Sequence, residues 1–295
     1  MLNYYKPSGA FSPLSFGYVL AISLLVAPIL GLAYSYAIWY IPFIYIRFFL
    51  TLGFGFAIGF LTNNVVVKYG KVRNSVLAII FSIFISLVAI YFSWAVWLDL
   101  IINAGESYGN EKLGITVSNI EFLQVFSLAG QPSVLFSLMQ EVNQVGSITI
   151  KTITISGIFL SIIWLIEALM VIGLAIFMST TQSKKPFCER TGQWFTETIL
   201  PATELIEDKD KMRADLEKAV PSVFDNLVKN QEIATQSHSI FSLYSSENGE
   251  NYLSIENKVA KIDDKGKTDF DTEEFIQYIG LSEKMTKTLL EKLPM

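Results

Sequence analysis

Long apolar runs dominate the first 180 residues of the chain, and four of them are long enough to cross a bilayer as helices. A hydrocarbon core about 30 Å thick requires about 20 mostly apolar residues in a helix. The runs predict spanning helices at residues 14–36, 42–61, 76–98 and 153–178. The first run is too long for the core of a signal peptide, so we expect it to remain in the protein.

A different pattern fills residues 99–151, where short apolar stretches alternate with polar residues. The Ser118 to Glu121 spacing is typical of a capping box, and Pro132 suits the first turn of a second helix. We expect two short helices whose apolar positions lie against the bundle, the membrane or a partner. The positions that form this possible partner surface are Phe122, Phe126, Leu135, Leu138 and Met139.

The last part of the chain, residues 183–295, has the pattern of a small water-soluble α+β domain. Alternating apolar positions on either side of an Asn248-Gly249 turn predict a β-hairpin at 239–256. Asp271 is expected to begin a helix through Phe275, Ile276 and Ile279, and Ser282 to begin the final helix. The predicted fold is therefore a four-helix transmembrane domain at 1–182, followed by a small α+β domain.

Basic residues predict the orientation, because Lys and Arg in short loops are retained on the cytoplasmic side. They cluster between the second and third helices and directly after the fourth, at Lys68, Lys71, Arg73, Lys184, Lys185 and Arg190. The segment 99–151 holds more acidic than basic residues and is expected to face outward. We therefore expect a bacterial cytoplasmic (inner) membrane protein with both termini in the cytoplasm.

The composition agrees with a chain that has an apolar, membrane-spanning part and a charged, water-soluble part. Apolar residues make up 52% of the sequence, charged residues 17%, and the mean hydropathy is +0.44. Of the charged residues, 15 basic and 21 acidic ones lie in 183–295. The resulting net charge of −6 argues against binding to nucleic acid, which requires a basic surface.

Two ionisable residues, Arg47 and Glu167, lie at membrane depth, where a charge costs at least about 2.5 to 3.5 kcal/mol. Counted from the helix ends, Arg47 is near the level of Asp99, which predicts an Arg47–Asp99 bridge. The same count places Glu167 about 13 Å deeper, beyond the reach of Arg47. We therefore expect Glu167 to be protonated and hydrogen-bonded, or to form a proton, ion or subunit site.

Three glycines in the second helix, Gly53, Gly55 and Gly59, predict a surface on which another helix packs closely. Gly55 and Gly59 have the G-x-x-x-G spacing, and Gly53 lies on a neighbouring strip. We expect packing within the same chain, with self-association as the alternative.

Motifs for catalysis and metal binding are scarce in the sequence. His238 is the single histidine and Cys188 the single cysteine, which excludes an internal disulfide and a zinc cluster of several thiolates. The acidic residues near 263–274 lack the ligand spacing of a calcium loop. Phosphate-binding, dinucleotide-binding and serine-hydrolase motifs are also missing, so we expect no cofactor, and an enzyme is the less favoured class.

Two functional hypotheses follow. The favoured one is a non-enzymatic membrane subunit or scaffold, in contact with lipid and with other membrane proteins or copies of itself, whose domain 183–295 binds a cytoplasmic protein. The alternative is a component of an oligomeric transporter or a channel for ions or protons, in which Glu167 acts within the membrane.

Overall fold

The computed structural model describes residues 4–41, 43–108, 115–150, 153–230, 233–262 and 267–294. The chain divides into two units. The first, the helical unit, is formed by Gly9–Lys184, and the second, the sheet unit, combines Lys185–Met295 with the N-terminal residues. The division lies two residues from the predicted boundary, but residues 4–8 belong with the C-terminal unit, contrary to the prediction.

The helical unit contains six helices in its described part, two of them short. In chain order they are α1 (Leu14–Tyr40), α2 (Tyr45–Val67), α3 (Ser75–Ile102), α4 (Phe122–Gly130), α5 (Pro132–Val145) and α6 (Gly157–Ser183). Among the described residues, α1, α2, α3 and α6 are each long and apolar enough to cross a membrane. The four apolar runs are thus confirmed as helices, and α4 and α5 are joined by a bend of 103°.

One helix boundary differs from the prediction, and one long helix is irregular, each for an identifiable reason. The fourth long helix begins at Gly157 rather than 153, because β4 (Ile153–Ile155) pairs with β3 (Ile148–Ile150) in a short antiparallel hairpin. Alternating Ile and Thr favour a strand, since their branched side chains suit a pleated surface. The helix α1 contains a π-helical turn at Ile22–Val26, two residues before Pro28, whose nitrogen cannot donate a helical hydrogen bond.

The long helices pack closely through small residues. On α1, Gly31 lies so near α3 that a Cβ there would be 3.1 Å from the carbonyl oxygen of Ala89, and the Ser35 hydroxyl donates to the carbonyl of Ser93.

Another short antiparallel pair, β1 (Ser107–Tyr108) and β2 (Ile115–Thr116), follows α3.

The sheet unit contains an antiparallel sheet of five strands and two α-helices in its described part. The elements are β5 (Phe187–Cys188), β6 (Gln193–Trp194), β7 (Thr196–Ile199), β8 (Thr203–Glu204), α7 (Lys209–Glu217), a 3₁₀ turn (Pro221–Phe224), β9 (His238–Ser245), β10 (Asn251–Ile262), β11 (Thr268–Leu281) and α8 (Glu283–Lys292). The strand order is β11–β10–β9–β7, and β8 also pairs with β9. The predicted hairpin is present as β9–β10, and Ser282 caps α8 as predicted.

The prediction of a helix that begins at Asp271 is wrong, because this segment is part of the strand β11. Two register shifts between β10 and β11 each add a residue on the β11 side, and Tyr278 there has a φ of 54°. Such bulges interrupt the alternation of a strand, so Ile276 and Ile279 are both buried although they are three residues apart. This spacing resembles one face of a helix in the sequence.

The N-terminal residues complete the sheet at its β11 edge. The Tyr5 N–H donates to the Tyr278 carbonyl over 2.8 Å, and Tyr4 forms an antiparallel bridge with Ile279. The Tyr4 hydroxyl also donates to Glu217 on α7 over 2.9 Å. The two ends of the chain therefore fold together in one unit.

Candidate functional site

A salt bridge between Arg47 on α2 and Glu167 on α6 is the main polar feature inside the helical unit. The Nε and Nη2 atoms of Arg47 donate to the two carboxylate oxygens of Glu167, at 2.6 Å and 3.1 Å. Their side chains are 18% and 20% exposed, so most of both groups is withdrawn from solvent. The two-point geometry is the strongest arrangement available to this pair of side chains.

Contacts along α2 and α6 explain why the predicted depths were wrong. The helices run parallel with matched neighbours: Gly55 meets Val171, and the Asn63 side chain accepts from the Gln182 N–H. When the two helices are aligned by these contacts, the first residue of α6 lies about five residues, or about 8 Å along the helix axis, ahead of the first turn of α2. Counting from helix ends assumed that both helices begin at one level. Glu167 and Arg47 therefore meet.

Asp99 does not pair with Arg47, contrary to the prediction. It is fully buried near the end of α3, and its Oδ2 accepts from the backbone N–H of Glu121 over 2.9 Å. This bond fixes the residue at the start of α4. The predicted capping box is absent from α4, because the Ser118 hydroxyl donates instead to the Leu100 carbonyl. Asp99 thus orders the connection after α3.

A second layer of hydrogen bonds holds the backbone around Arg47. The Thr51 hydroxyl donates to the Arg47 carbonyl over 3.0 Å, and the Tyr34 hydroxyl lies 3.0 Å from the same Thr51 oxygen. Since Thr51 uses its proton on the carbonyl, Tyr34 is the donor in that contact. Nothing in the sequence pattern of Tyr34 or Thr51 had indicated this role.

A cavity of about 40 Å³ adjoins the salt bridge. Its walls combine polar groups of α1 and α3 with aromatic rings, and its lining includes Arg47, Glu167, Tyr34, Ser35, Ser93, Trp94, Trp97 and Trp164. The Trp164 ring lies 6.3 Å from Trp94 and from Trp97, which makes one side of the cavity aromatic. A space of this size holds about three water molecules.

The three glycines singled out on α2 have different environments. A Cβ at Gly55 would lie 2.8 Å from the Cα of Val171, and one at Gly59 would lie 2.7 Å from the Cβ of Met178. Both glycines therefore allow α6 to approach α2 within the same chain. Gly53 has no atom within 4 Å of such a position among the described residues, so it is not part of that contact.

The apolar positions predicted on α4 and α5 divide into two groups. Leu135 and Met139 are buried against α3, and Leu138 is partly buried in the same cluster. Phe122 and Phe126 are 63% and 62% exposed. The stripe on α5 thus packs within the unit, whereas the phenylalanines of α4 remain on its surface.

In the sheet unit, Glu197 lies at one side of a cluster of tyrosines, of which Tyr244 contacts it directly. Burial opposes the ionisation of Glu197, but hydrogen bonds from Lys185 and Tyr244, at 2.6 Å and 2.7 Å, outweigh it and lower its pKa. Burial together with the carboxylates of Glu274 and Glu197 raises the pKa of Tyr278 to about 12. Tyr278 therefore remains neutral at physiological pH, and its ring packs edge-to-face against Tyr244, which donates to Glu197.

The single cysteine and the single histidine, Cys188 and His238, are both buried within the sheet unit. Cys188 is buried, which opposes ionisation, yet hydrogen bonds from Thr191 and the backbone N–H of Arg190 lower its pKa. His238 is buried at the start of β9, where its Nδ1 lies 2.8 Å from the Gln236 carbonyl. Within the described residues, no group of three His, Cys, Asp or Glu side chains is arranged to hold a metal ion. The turn at 263–266 lies outside the described residues.

Comparison with known protein families, with curated proteins and with solved structures found no match to this chain.

Proposed function

We propose that the protein is an integral membrane scaffold or subunit, in which the helical unit is the anchor and the sheet unit binds a protein partner. The observation that carries the proposal is the composition of the sheet unit. Residues that precede the four apolar helices in the sequence fold together there with residues that follow them. This organisation supports a binding module that is anchored by the helical unit.

The same observation supports an orientation. Residues 4–8 precede α1 and residues 185–294 follow α6, so pairing of Tyr5 with Tyr278 requires an even number of crossings. Four crossings place both ends on one side. The basic residues Lys68, Lys71 and Arg73 precede α3 on that side, which favours the cytoplasm of a bacterium.

The salt bridge is consistent with an anchor. A pair of opposite charges in two-point contact costs far less in a bilayer than either charge alone. Arg47 thereby removes the main reason for assigning Glu167 a separate proton-binding or ion-binding role. The partner would meet the acidic sheet unit in the cytoplasm, and lipid would surround the helices.

A transport component remains the second candidate, favoured by the cavity beside the salt bridge. A route for ions or protons would use the polar wall formed by Arg47, Glu167 and Tyr34. Replacement of Glu167 alone does not separate the two candidates, since it leaves Arg47 charged without its partner. The double variant Arg47→Gln/Glu167→Gln separates them, because it removes both charges and leaves two amide side chains that can still form hydrogen bonds.

The test is gentle purification of the full-length protein from its native membrane, followed by the mass of the intact complex. A scaffold predicts a second protein at fixed stoichiometry, retained by the double variant and cross-linked to lysines such as Lys209 and Lys284. Cross-links confined to Lys68 and Lys71 would place the partner elsewhere. A pure homo-oligomer whose ion or proton flux in vesicles disappears in the double variant would establish transport instead.

A further inference from the structure

The helices α4 and α5 carry apolar side chains on two opposite faces. Leu128 and Leu135 are buried against the rest of the helical unit. On the outer side, Leu123 is 86% exposed, Phe126 62% and Phe136 50%. A helix in water buries one apolar face and presents polar residues on the other. The outer face of α4 therefore lacks the character of a water-exposed surface.

The exposed charged and amide side chains of these helices lie at the bend and on the later turns of α5, and the other exposed polar residues are the small serines Ser127, Ser133 and Ser137. Glu141 is the single ionisable residue in the sequences of α4 and α5, and it is exposed together with Gln140 and Gln144 on the later turns of α5. The bend at Gly130 and Gln131 is polar as well. The large exposed apolar residues are therefore concentrated on α4 and the beginning of α5, and Val145 at the end of α5 is exposed as well.

This apolar surface is continuous with the side of α3. The Phe126 ring lies 6.2 Å from Phe92, and the Tyr91 hydroxyl donates to the Ala129 carbonyl at the bend over 2.8 Å. Tyr91 is eleven residues before the end of α3, so the bend lies about 16 Å along the helix from that end. Nearer the start of α3, Phe84 and Leu87 are also exposed. One apolar surface thus extends from α3 onto α4.

We propose that α4 and the first turn of α5 lie in the outer leaflet, with Leu123, Phe126 and Phe136 among the acyl chains near the headgroups. The occupant of this surface is lipid, because the surface continues the exposed apolar side of a long helix proposed to cross the bilayer.

Asp99 holds Glu121 at the start of α4, and Tyr91 holds Ala129 near its end, so α4 runs back along α3 for about 12 Å into the outer leaflet. The helix α5 returns to the start of α6, where Asn143 donates to Ser161, so Gln140, Glu141 and Gln144 lie towards the headgroups, a region that favours polar side chains. The inference rests on the proposed insertion of the helical unit.

The test uses single nitroxide labels on the full-length protein in vesicles of phosphatidylcholine and phosphatidylglycerol. In a Cys188→Ala background, cysteines replace Leu123, Phe126 and Gln140, all exposed, and gel filtration checks that each variant stays monodisperse. Collision rates with oxygen, which concentrates in lipid, and with a water-soluble nickel chelate are then measured. Leu24 on α1, 69% exposed, reports on the long helices, and Ile262 on β10, 79% exposed, reports on water.

Labels at Leu123 and Phe126 are expected to match Leu24, with oxygen collisions several-fold more frequent than nickel collisions, while Gln140 resembles Ile262. Frequent nickel collisions at both α4 positions, with Leu24 in lipid, would overturn the inference and leave the membrane anchor intact. Slow collisions with both reagents at the α4 positions would mean that protein covers the surface, which also overturns it. Frequent nickel collisions at Leu24 would contradict the anchor itself.

Discussion

The two units of this protein place similar side chains in opposite positions. In the helical unit the salt bridge, several hydroxyl groups and the contact glycines lie inside, while Leu24, Phe49 and Phe177 are about 70% exposed, at 69%, 67% and 71%. In the sheet unit Phe224 and Phe241 are fully buried, and the ion pair Arg190–Glu250 is exposed. This contrast is what we expect if the helical unit lies in lipid, as proposed, and the sheet unit in water, because the surrounding medium decides which side chains a folded unit buries.

The largest expected effect contrasts two phenylalanines. Phe241→Ala should destabilise the sheet unit by about 3 to 5 kcal/mol, because it leaves a cavity in a packed core. Phe49→Ala, at an exposed position of α2, should change stability by less than about 0.5 kcal/mol. Hydrogen exchange followed by mass spectrometry reads peptides of each unit separately. Equal losses at the two sites would contradict the comparison.

The second prediction contrasts two Arg–Glu pairs. Glu167→Gln leaves Arg47 charged inside the helical unit, at a cost of about 2.5 to 3.5 kcal/mol. Glu250→Gln breaks an exposed pair and should cost less than about 1 kcal/mol. Unfolding in mixed detergent micelles measures the first change, and urea denaturation the second.

A control for the salt bridge comes from the double variant Arg47→Gln/Glu167→Gln. It should recover most of the stability lost in Glu167→Gln, since no charge then remains unpaired at that site. Loss as large in the double variant as in the single one would show that size or hydration, not charge, controls the site.

The third prediction concerns the glycine contact of α2. Gly59→Ala should cost about 1 to 3 kcal/mol, because the new Cβ would lie 2.7 Å from the Cβ of Met178 and 2.9 Å from the Cα of Ala175. Gly53→Ala should be neutral or slightly stabilising, since that position is open and alanine favours helices. Micelle unfolding of both variants checks the difference, and the reverse order would mean that α2 and α6 do not pack through Gly59.

The smallest effects are pH-dependent and contrast two carboxyl groups of the sheet unit. Hydrogen bonds keep the pKa of Glu197 below its ordinary value of 4.5, so its stabilisation is present above pH 4.5 and is lost as pH falls through the folded pKa. Partial desolvation and the Glu256 carboxylate raise the pKa of Glu274. Its ionisation therefore destabilises the fold as pH rises from 4.5 through the folded pKa.

Urea denaturation between pH 3 and 7 tests this contrast. At pH 7, Glu197→Gln should lower stability and Glu274→Gln should raise it. Both differences should shrink as the solution becomes acidic, that of Glu274→Gln at the higher pH. A constant difference across this range would mean that ionisation is not its cause.

The sequence predicted best where one physical requirement dominates. Four apolar runs of about 20 residues or more have few alternatives to a helix, and all four are helical. The hairpin at Asn248-Gly249 and the helix cap at Ser282 could also be predicted from the sequence, because each depends on a few neighbouring residues.

Prediction was wrong where a feature depends on distant parts of the chain. The Arg47–Glu167 pair depends on the relative height of α2 and α6, and this height follows from side-chain packing rather than from helix length. In β11 the bulges near Tyr278 produce a spacing of buried residues that also fits a helix. The pairing of Tyr5 with Tyr278 has no local signal at all.

That pairing has a consequence for biosynthesis. Tyr4 and Tyr5 are translated before the long helices, yet their partners Tyr278 and Ile279 are translated only after all of them. The sheet unit is therefore completed only after translation of the helical unit, and on the proposed topology residues 4–8 remain on the side of the membrane where the rest of the sheet unit folds. A bulky fusion placed directly before Tyr4 would interfere with this last step even if every helix had inserted correctly.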